Sequence, residues 1–246
     1  MTILSPTILH IAETTSTNTY LKELVLSGEK PEGFTVYTDY QNAGRGQRGN
    51  LWESEHSKNL LFSTLLYPKQ LRAADQFILS QIVSLAIKDI LSQYTTDISV
   101  KWPNDIYWKD KKVVGILIEN GIVGEYLSHT VIGVGININQ DVFVSDAPNP
   151  VSLRQITGME YSIENILRQV IGRILFYYQS LPEAKESIQE QYKKSLFRRE
   201  GFYPFEDKTG KFVARIKDIE TSGLLELELQ DGEIRTYAFK EVRYIL

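Results

Sequence analysis

The stretch whose reading decides the fold is residues 100–119, VKWPNDIYWKDKKVVGILIE. β-Branched and aromatic residues flank turn formers, so residues 100–102 read as the end of a strand, Pro103-Asn104-Asp105 as a turn and residues 106–108 as a new strand. Lys109-Asp110-Lys111 is a polar reversal. Residues 113–118 then form an apolar run of strand length, expected to be buried on both faces and broken by Gly115. Lys112 stands at the mouth of that strand. A lysine in such a place either protects a strand edge against aggregation or, with Gly115 admitting a close approach, offers a fixed ammonium to a carboxylate or phosphate. Asn104 and Asp105 have ordinary turn chemistry as their plainest explanation.

Upstream, residues 8–12 read as a first strand. Ser16-Thr17-Asn18 then supplies N-cap residues for a helix through Leu21, Leu24 and Val25 that closes at Gly28. Those three polar side chains either cap the helix or bind a small polar ligand head beside its N-terminus. Residues 34–40 and 60–67 read as strands, and between them lies QNAGRGQRGNLW, residues 41–52. Gly44, Gly46 and Gly49 alternate with Arg45 and Arg48, so backbone N–H groups and two guanidiniums can meet a phosphate, with Trp52 as a flat surface for a nucleobase. A flexible surface loop or an RNA-binding patch has the same composition. Neither the Walker nor the dinucleotide glycine spacing is present.

Downstream, residues 75–94 carry apolar side chains at helical spacing, and residues 131–139, VIGVGININ, read as a buried strand. Gly133, Gly135 and Asn137 share one face of that strand, by the period of two. The glycines mark either a bulge and tight packing or room for a flat ligand. Residues 162–181 and 182–196 read as two helices. Near Arg198 the pattern changes. From residue 201 to 246, short alternating strands punctuated by Lys208-Thr209-Gly210, Ser222-Gly223 and Asp231-Gly232 suggest a small antiparallel barrel as a second domain.

The 246 residues suffice for one large domain with a small appendage. With 27 Lys and Arg against 31 Asp and Glu, the net charge of −4 gives no basic field, and no DNA partner is expected. The absence of cysteine excludes disulfides, thiol nucleophiles and thiolate metal sites. His10, His56 and His129 have no metal-ligand spacing, so no protein-bound metal is expected. No uncharged apolar run approaches about 18 residues and no leader pattern opens the sequence, so the expectation is a cytoplasmic protein outside any membrane.

Taken in order, the Ser-Thr-Asn box, the GRGQRG loop, the KWPND hairpin with its lysine, the GVGIN strand and the C-terminal barrel resemble the biotin–protein ligases over nearly the whole chain. The resemblance implies an α+β fold: a mixed-sheet catalytic domain of class II synthetase type over residues 1–198 and an SH3-like barrel over 199–246. It implies that biotin's carboxylate attacks the α-phosphate of ATP, with Mg²⁺, to give biotinyl-5′-AMP. A lysine of a biotin carboxyl carrier protein then displaces AMP. Lys112, Arg45 and Asp105 match catalytic positions. Ser16, Thr17, Asn18, Gln41, Gly44, Arg45, Gly46, Gln47, Lys112, Gly115, Leu117, Gly133 and Gly135 match the biotin site. Arg45, Arg48, Trp52, Asn104, Lys112 and Asn137 match the ATP and adenylate site, with Trp52 near adenine. A monomer or a homodimer fits equally.

Two departures accompany the resemblance. Many members carry an arginine immediately after GRG, where this sequence has Gln47 and places the extra arginine at Arg48. Bifunctional members carry a helix-turn-helix domain ahead of the Ser-Thr-Asn box; here 15 residues precede Ser16, and a ligase without repressor function is expected. The lipoate–protein ligases are the nearest alternative, but they lead an arginine-rich segment into consecutive glycines, a pattern missing here. Cysteine-dependent octanoyltransferases are excluded by composition. A non-catalytic RNA- or protein-binding module built on the Gly-Arg loop is opposed by the acidic charge.

Overall fold

The computed structural model describes residues 6–46, 50–145 and 147–246. In chain order, β1 (Ile8–Thr14), α1 (Thr17–Leu26) and β2 (Thr35–Gln41) form a crossover unit with β1 and β2 parallel. β3 (Leu60–Leu66), α2 (Phe77–Leu91), β4 (Ile98–Lys101), β5 (Asp105–Trp108), β6 (Lys111–Val123) and β7 (Tyr126–Ile136) follow. The seven strands form one sheet in the order β1-β2-β3-β7-β6-β5-β4, antiparallel at every pairing after the first. The sheet is mixed, as expected.

Helices cover the two faces unequally, and that inequality makes the site. α2 and the later helix α4 (Ile163–Lys194), which follows the short α3 (Leu153–Thr157), pack on one face through a large apolar cluster that includes Phe62, Ile82, Val134, Val170 and Ile174. α1 covers part of the other face through a small cluster of Leu21, Val36, Leu65 and Val131. Beyond the end of α1 that second face stays uncovered. This corrects the expectation that residues 113–118 are buried on both faces: Val114 and Ile116 are buried, whereas Gly115 and Leu117 are half-exposed on the open side. β6 and β7 also run longer than their apolar cores suggest, as a hairpin turning at Gly124, whose φ of +61° suits glycine.

The two helices expected over residues 162–196 are one. α4 runs unbroken through Pro182, because the apolar stripe of Tyr177, Leu181, Ala184, Ile188 and Tyr192 continues across the proline and holds both halves on the same core. That packing outweighs the lost backbone hydrogen bond. The end of α4 reaches the KWPND turn, where Tyr192 donates from its hydroxyl to the Pro103 carbonyl at 2.7 Å.

After α4, β8 (Tyr203–Asp207), β9 (Gly210–Ile219), β10 (Leu225–Leu229), β11 (Ile234–Tyr237) and β12 (Val242–Tyr244) form a separate five-stranded antiparallel sheet. This is the small antiparallel unit that the strand spacing predicts. Its buried side chains join the main core, and Trp102 donates its indole N–H to the Gly223 carbonyl at 2.9 Å. Among the described residues no helix is long and apolar enough to cross a membrane.

Candidate active site

Strand register builds the floor of a cleft of about 760 Å³ on the uncovered face. Gly115 pairs with Gly135 and Leu117 with Gly133, while Ser63 on β3 opposes Gly133 from the other side. Paired residues share a face, so Ser63, Gly133, Leu117, Gly135 and Gly115 line up across three strands. A register irregularity between Ile106 and Tyr107 brings Lys112 opposite Tyr107 and so onto the same face, which strict alternation from Gly115 would have denied it.

One end of the cleft is a closed polar network at the start of α1. Ser16 occupies the N-cap position but makes no capping bond through its side chain; the Thr17 backbone N–H is instead satisfied by Gln41 Oε1 at 2.8 Å. Thr17 Oγ1 also donates to Gln41 Oε1, and Ser63 Oγ lies 2.7 Å from Thr17 Oγ1 and 2.6 Å from Asn18 Oδ1. Asn18 Nδ2 donates to the Leu117 carbonyl and, at 2.8 Å, to Glu119. Glu119 in turn pairs with Lys22 at 2.8 Å and Arg45 at 3.3 Å. Partial burial opposes ionisation of Glu119, but the hydrogen bonds from Lys22 and Asn18 and the charges of Lys22 and Arg45 outweigh it and hold its carboxyl below the usual range.

Residues 44–46 and 50–52 lie antiparallel: Arg45 bridges Leu51, Gly46 N–H donates to the Asn50 carbonyl and Trp52 N–H donates to the Gly44 carbonyl at 2.9 Å. This pairing lays the Trp52 indole on the floor glycines: a Cβ at Gly115 or Gly135 would sit 2.6 or 2.5 Å from its ring atoms. Trp52 Nε1 is buried there with no hydrogen-bond partner among the described residues. The ring expected as a flat surface for a nucleobase therefore lies against the floor of the slot. Gln47, Arg48 and Gly49 fall outside the described residues.

At the middle of the cleft Lys112 Nζ contacts Asp105 Oδ2 at 2.7 Å. The Lys112 backbone is pinned on both sides, its N–H donating to the Asn149 carbonyl and its carbonyl accepting from Val151. Residues around this segment form the far wall with Phe143, Ser145 and Pro148, anchored by Glu53, which accepts from the backbone of Val144 and Ser145. Asn137, almost fully buried at the wall, donates from Nδ2 to the Val151 carbonyl while its Oδ1 has no partner among the described residues.

The cleft thus gathers Ser16, Thr17, Asn18, Gln41, Arg45, Gly46, Trp52, Asp105, Lys112, Gly115, Leu117, Gly133, Gly135 and Asn137. Two further candidates stand outside the cleft lining. Asn104, at the β4–β5 connection, is 3 % exposed and is not among the lining residues. Gly44 is buried too, and it lets the Trp52 backbone approach, since a Cβ there would meet the Trp52 carbonyl at 2.6 Å. Ser63, Glu119, Glu53, Lys101 and Tyr107 were not predicted. The alternation of β6 hints at Glu119, two residues beyond Leu117; Ser63 becomes visible once β3 is known to pair with β7.

The description "Biotin/lipoate A/B protein ligase family" belongs to the family whose model matches residues 11–137. A Salmonella typhimurium protein named bifunctional ligase/repressor BirA is 32% identical over 236 residues, covering 92% of this chain and 71% of its own. A Mycobacterium tuberculosis biotin–[acetyl-CoA-carboxylase] ligase is 27% identical over 182 residues, 70% of this chain and 66% of its own. Among solved structures, the Aquifex aeolicus biotin protein ligase in complex with biotin and ATP aligns over 97% of this chain and 99% of its own, with a TM-score of 0.80 and 24% identity, a likeness of fold. With more than half of its length matched by the family and a relative above 30% identity, the chain belongs to the Biotin/lipoate A/B protein ligase family.

Proposed function

We propose that the cleft activates biotin with ATP to biotinyl-5′-AMP and transfers biotin to a lysine of a biotin carboxyl carrier protein. The observation that carries this reading is the continuity of one floor between the closed Thr17–Asn18–Gln41–Ser63 network and the ammonium of Lys112. A ureido group needs both donors and acceptors in fixed places, and that network supplies them. An acyl chain laid along Leu117 and Gly115 then brings its carboxylate to Lys112. The relatives whose names record biotin and ATP supply the prior, and Lys112, Arg45 and Asp105 are the residues assigned to the chemistry.

A carboxylate and a phosphate about 4 Å apart repel by about 4 kcal/mol at an effective dielectric near 20, so a positioned cation is required before attack. Lys112 is held for that task by Asp105 and by its doubly bonded backbone. The unpartnered Oδ1 of Asn137 accepts from the amino group of adenine, and Trp52 supplies the stacking surface once it leaves the glycines. In transfer, the carrier amine attacks the acyl carbon of the mixed anhydride, AMP leaves with the bonding pair, and the Asp105 carboxylate takes the proton. Mg²⁺ would enter on the nucleotide: among the described residues no group of three or more metal-ligating side chains stands together, so phosphate oxygens with Asp105 would hold it and it would neutralise phosphate charge. Residues 1–198 are assigned to this catalysis and 199–246 to the accessory sheet.

Incubation with α-labelled ATP, Mg²⁺ and either biotin or lipoate tests the reading. Labelled acyl adenylate with biotin, consumed on adding carrier protein, is the expected result. Adenylate with lipoate in place of biotin, or none with either, refutes it.

A further inference from the structure

Past Lys112, away from the Thr17–Asn18 network, the cleft continues to the last strand of the sheet and is walled by Lys101, Tyr107 and Phe239. Lys101 closes β4 opposite Asp105 in the register. Asp105 is turned to Lys112, and among the described residues Lys101 forms no ion pair. Its ammonium is held instead by the Tyr107 hydroxyl at 3.0 Å, by the Tyr107 ring face at 4.7 Å and by the ring of Tyr244 in the C-terminal sheet at 5.3 Å. Burial pulls the pKa of Lys101 below the usual lysine range; Asp105 opposes that shift, and Lys112 and Arg198 add to it. A cation that has lost water without gaining a carboxylate is one that an arriving anion stabilises.

We infer that Lys101 is a second cation of the reaction, receiving the pyrophosphate that leaves during adenylation. The inference rests on the function proposed above. In that step a bond forms between the biotin carboxylate oxygen and the α-phosphorus, the bond from that phosphorus to the β-bridging oxygen breaks, and the electron pair departs with pyrophosphate. Attack and departure are roughly in line. The carboxylate approaches from the Asn18 end, so the leaving group points toward the Lys101 end. Lys112, tied to Asp105, stands between the two and serves the carboxylate and α-phosphate. Phe239 lines this end of the cleft and the Tyr244 ring on β12 contacts the Lys101 ammonium, so the C-terminal unit borders the leaving-group end.

The experiment compares Lys101→Met and Lys101→Arg with wild type in single-turnover adenylation, biotin-dependent pyrophosphate exchange, biotin binding, and transfer from added biotinyl-5′-AMP to carrier protein. The expected result for Lys101→Met is adenylation slower by about 10²-fold and a pyrophosphate KM raised at least about 10-fold, with biotin affinity and transfer within about threefold. Lys101→Arg recovers most of the loss. Adenylation within about threefold of wild type overturns the assignment, and so does a parallel fall in transfer, which would place Lys101 at the acceptor amine. If Lys101→Met fails to give a cooperative melt, Lys101→Gln carries the same readouts. A wild type with no biotin-dependent exchange overturns the proposed function and this assignment together; normal wild-type exchange with unaffected variants overturns this assignment alone.

Discussion

Gly133 and Gly135 lie on the same face of β7, yet a methyl group added at each meets opposite resistance. At Gly133 the new Cβ would lie 2.2 Å from Asn18 Oδ1; at Gly135 it would lie 2.5 Å from Trp52 Cε2 and Nε1. Neither glycine has a positive φ, so alanine adds no backbone strain and the difference is one of neighbours. Asn18 is fixed by Ser63, by the Leu117 carbonyl and by Glu119. Withdrawing its Oδ1 to the 3.4 Å of ordinary contact takes a shift of about 1.2 Å, which breaks the 2.6 Å bond from Ser63. Overpacking costs about 1–3 kcal/mol and a buried polar group left unpaired about 1–3 more, so Gly133→Ala should lose roughly 2–6 kcal/mol. In a chain of this size that is a fall of roughly 5–15 °C in Tm. Trp52 has no hydrogen bond to lose at Nε1, and swinging it out exchanges apolar contact for release of a buried unpaired N–H. Gly135→Ala should therefore stay within about 1 kcal/mol of wild type. Urea denaturation with titration calorimetry checks both: Gly133→Ala weakens biotin binding, and Gly135→Ala weakens nucleotide binding more than biotin binding. Equal destabilisation by the two variants, or a larger one at Gly135, would refute the account of which neighbour is fixed.

Lys112→Met should slow adenylate formation by about 10²- to 10³-fold with little change in Tm, because its ion pair with Asp105 is partly solvated; rapid-quench assays and melting curves separate the two effects. Glu119 ionises more readily folded than unfolded, so its stabilisation is complete above the ordinary glutamate value of 4.5 and is lost as pH falls through the lower folded value. Glu119→Gln should accordingly flatten the loss of urea stability between about pH 5 and pH 3, and an unchanged slope would exclude Glu119 from that loss. Pro182→Ala should raise stability by about 1–3 kcal/mol in urea denaturation, because α4 is continuous through that position; two helices meeting at the proline would show no gain.

Much of the plan is legible along the chain because it depends on local period and local chemistry. The apolar run after Lys112, the alternation of Gly133, Gly135 and Asn137, and the glycine-arginine composition of residues 41–52 each announce a chemistry within a dozen residues. Helix continuity at Pro182 escapes a local reading for the same reason: the local breaker is plain, while the stripe that overrides it is held by a core assembled from distant strands.

What the sequence determined by itself is the order of the elements, the α+β class with its antiparallel C-terminal sheet, and the residue types that meet at the cleft. Which of those residues face one another was decided by pairing across strands. Ser63 reaches Thr17 and Asn18 because β3 lies beside β7, and Lys101 faces the cleft from the far edge through the order β7-β6-β5-β4. Lys112 and Gly115, three residues apart, would point to opposite faces in a regular strand; the irregularity opposite Ile106 and Tyr107 puts both on one. A one-residue slip in register reverses every side chain beyond it, and such a slip is set by the neighbouring strand, which no local reading of β6 contains.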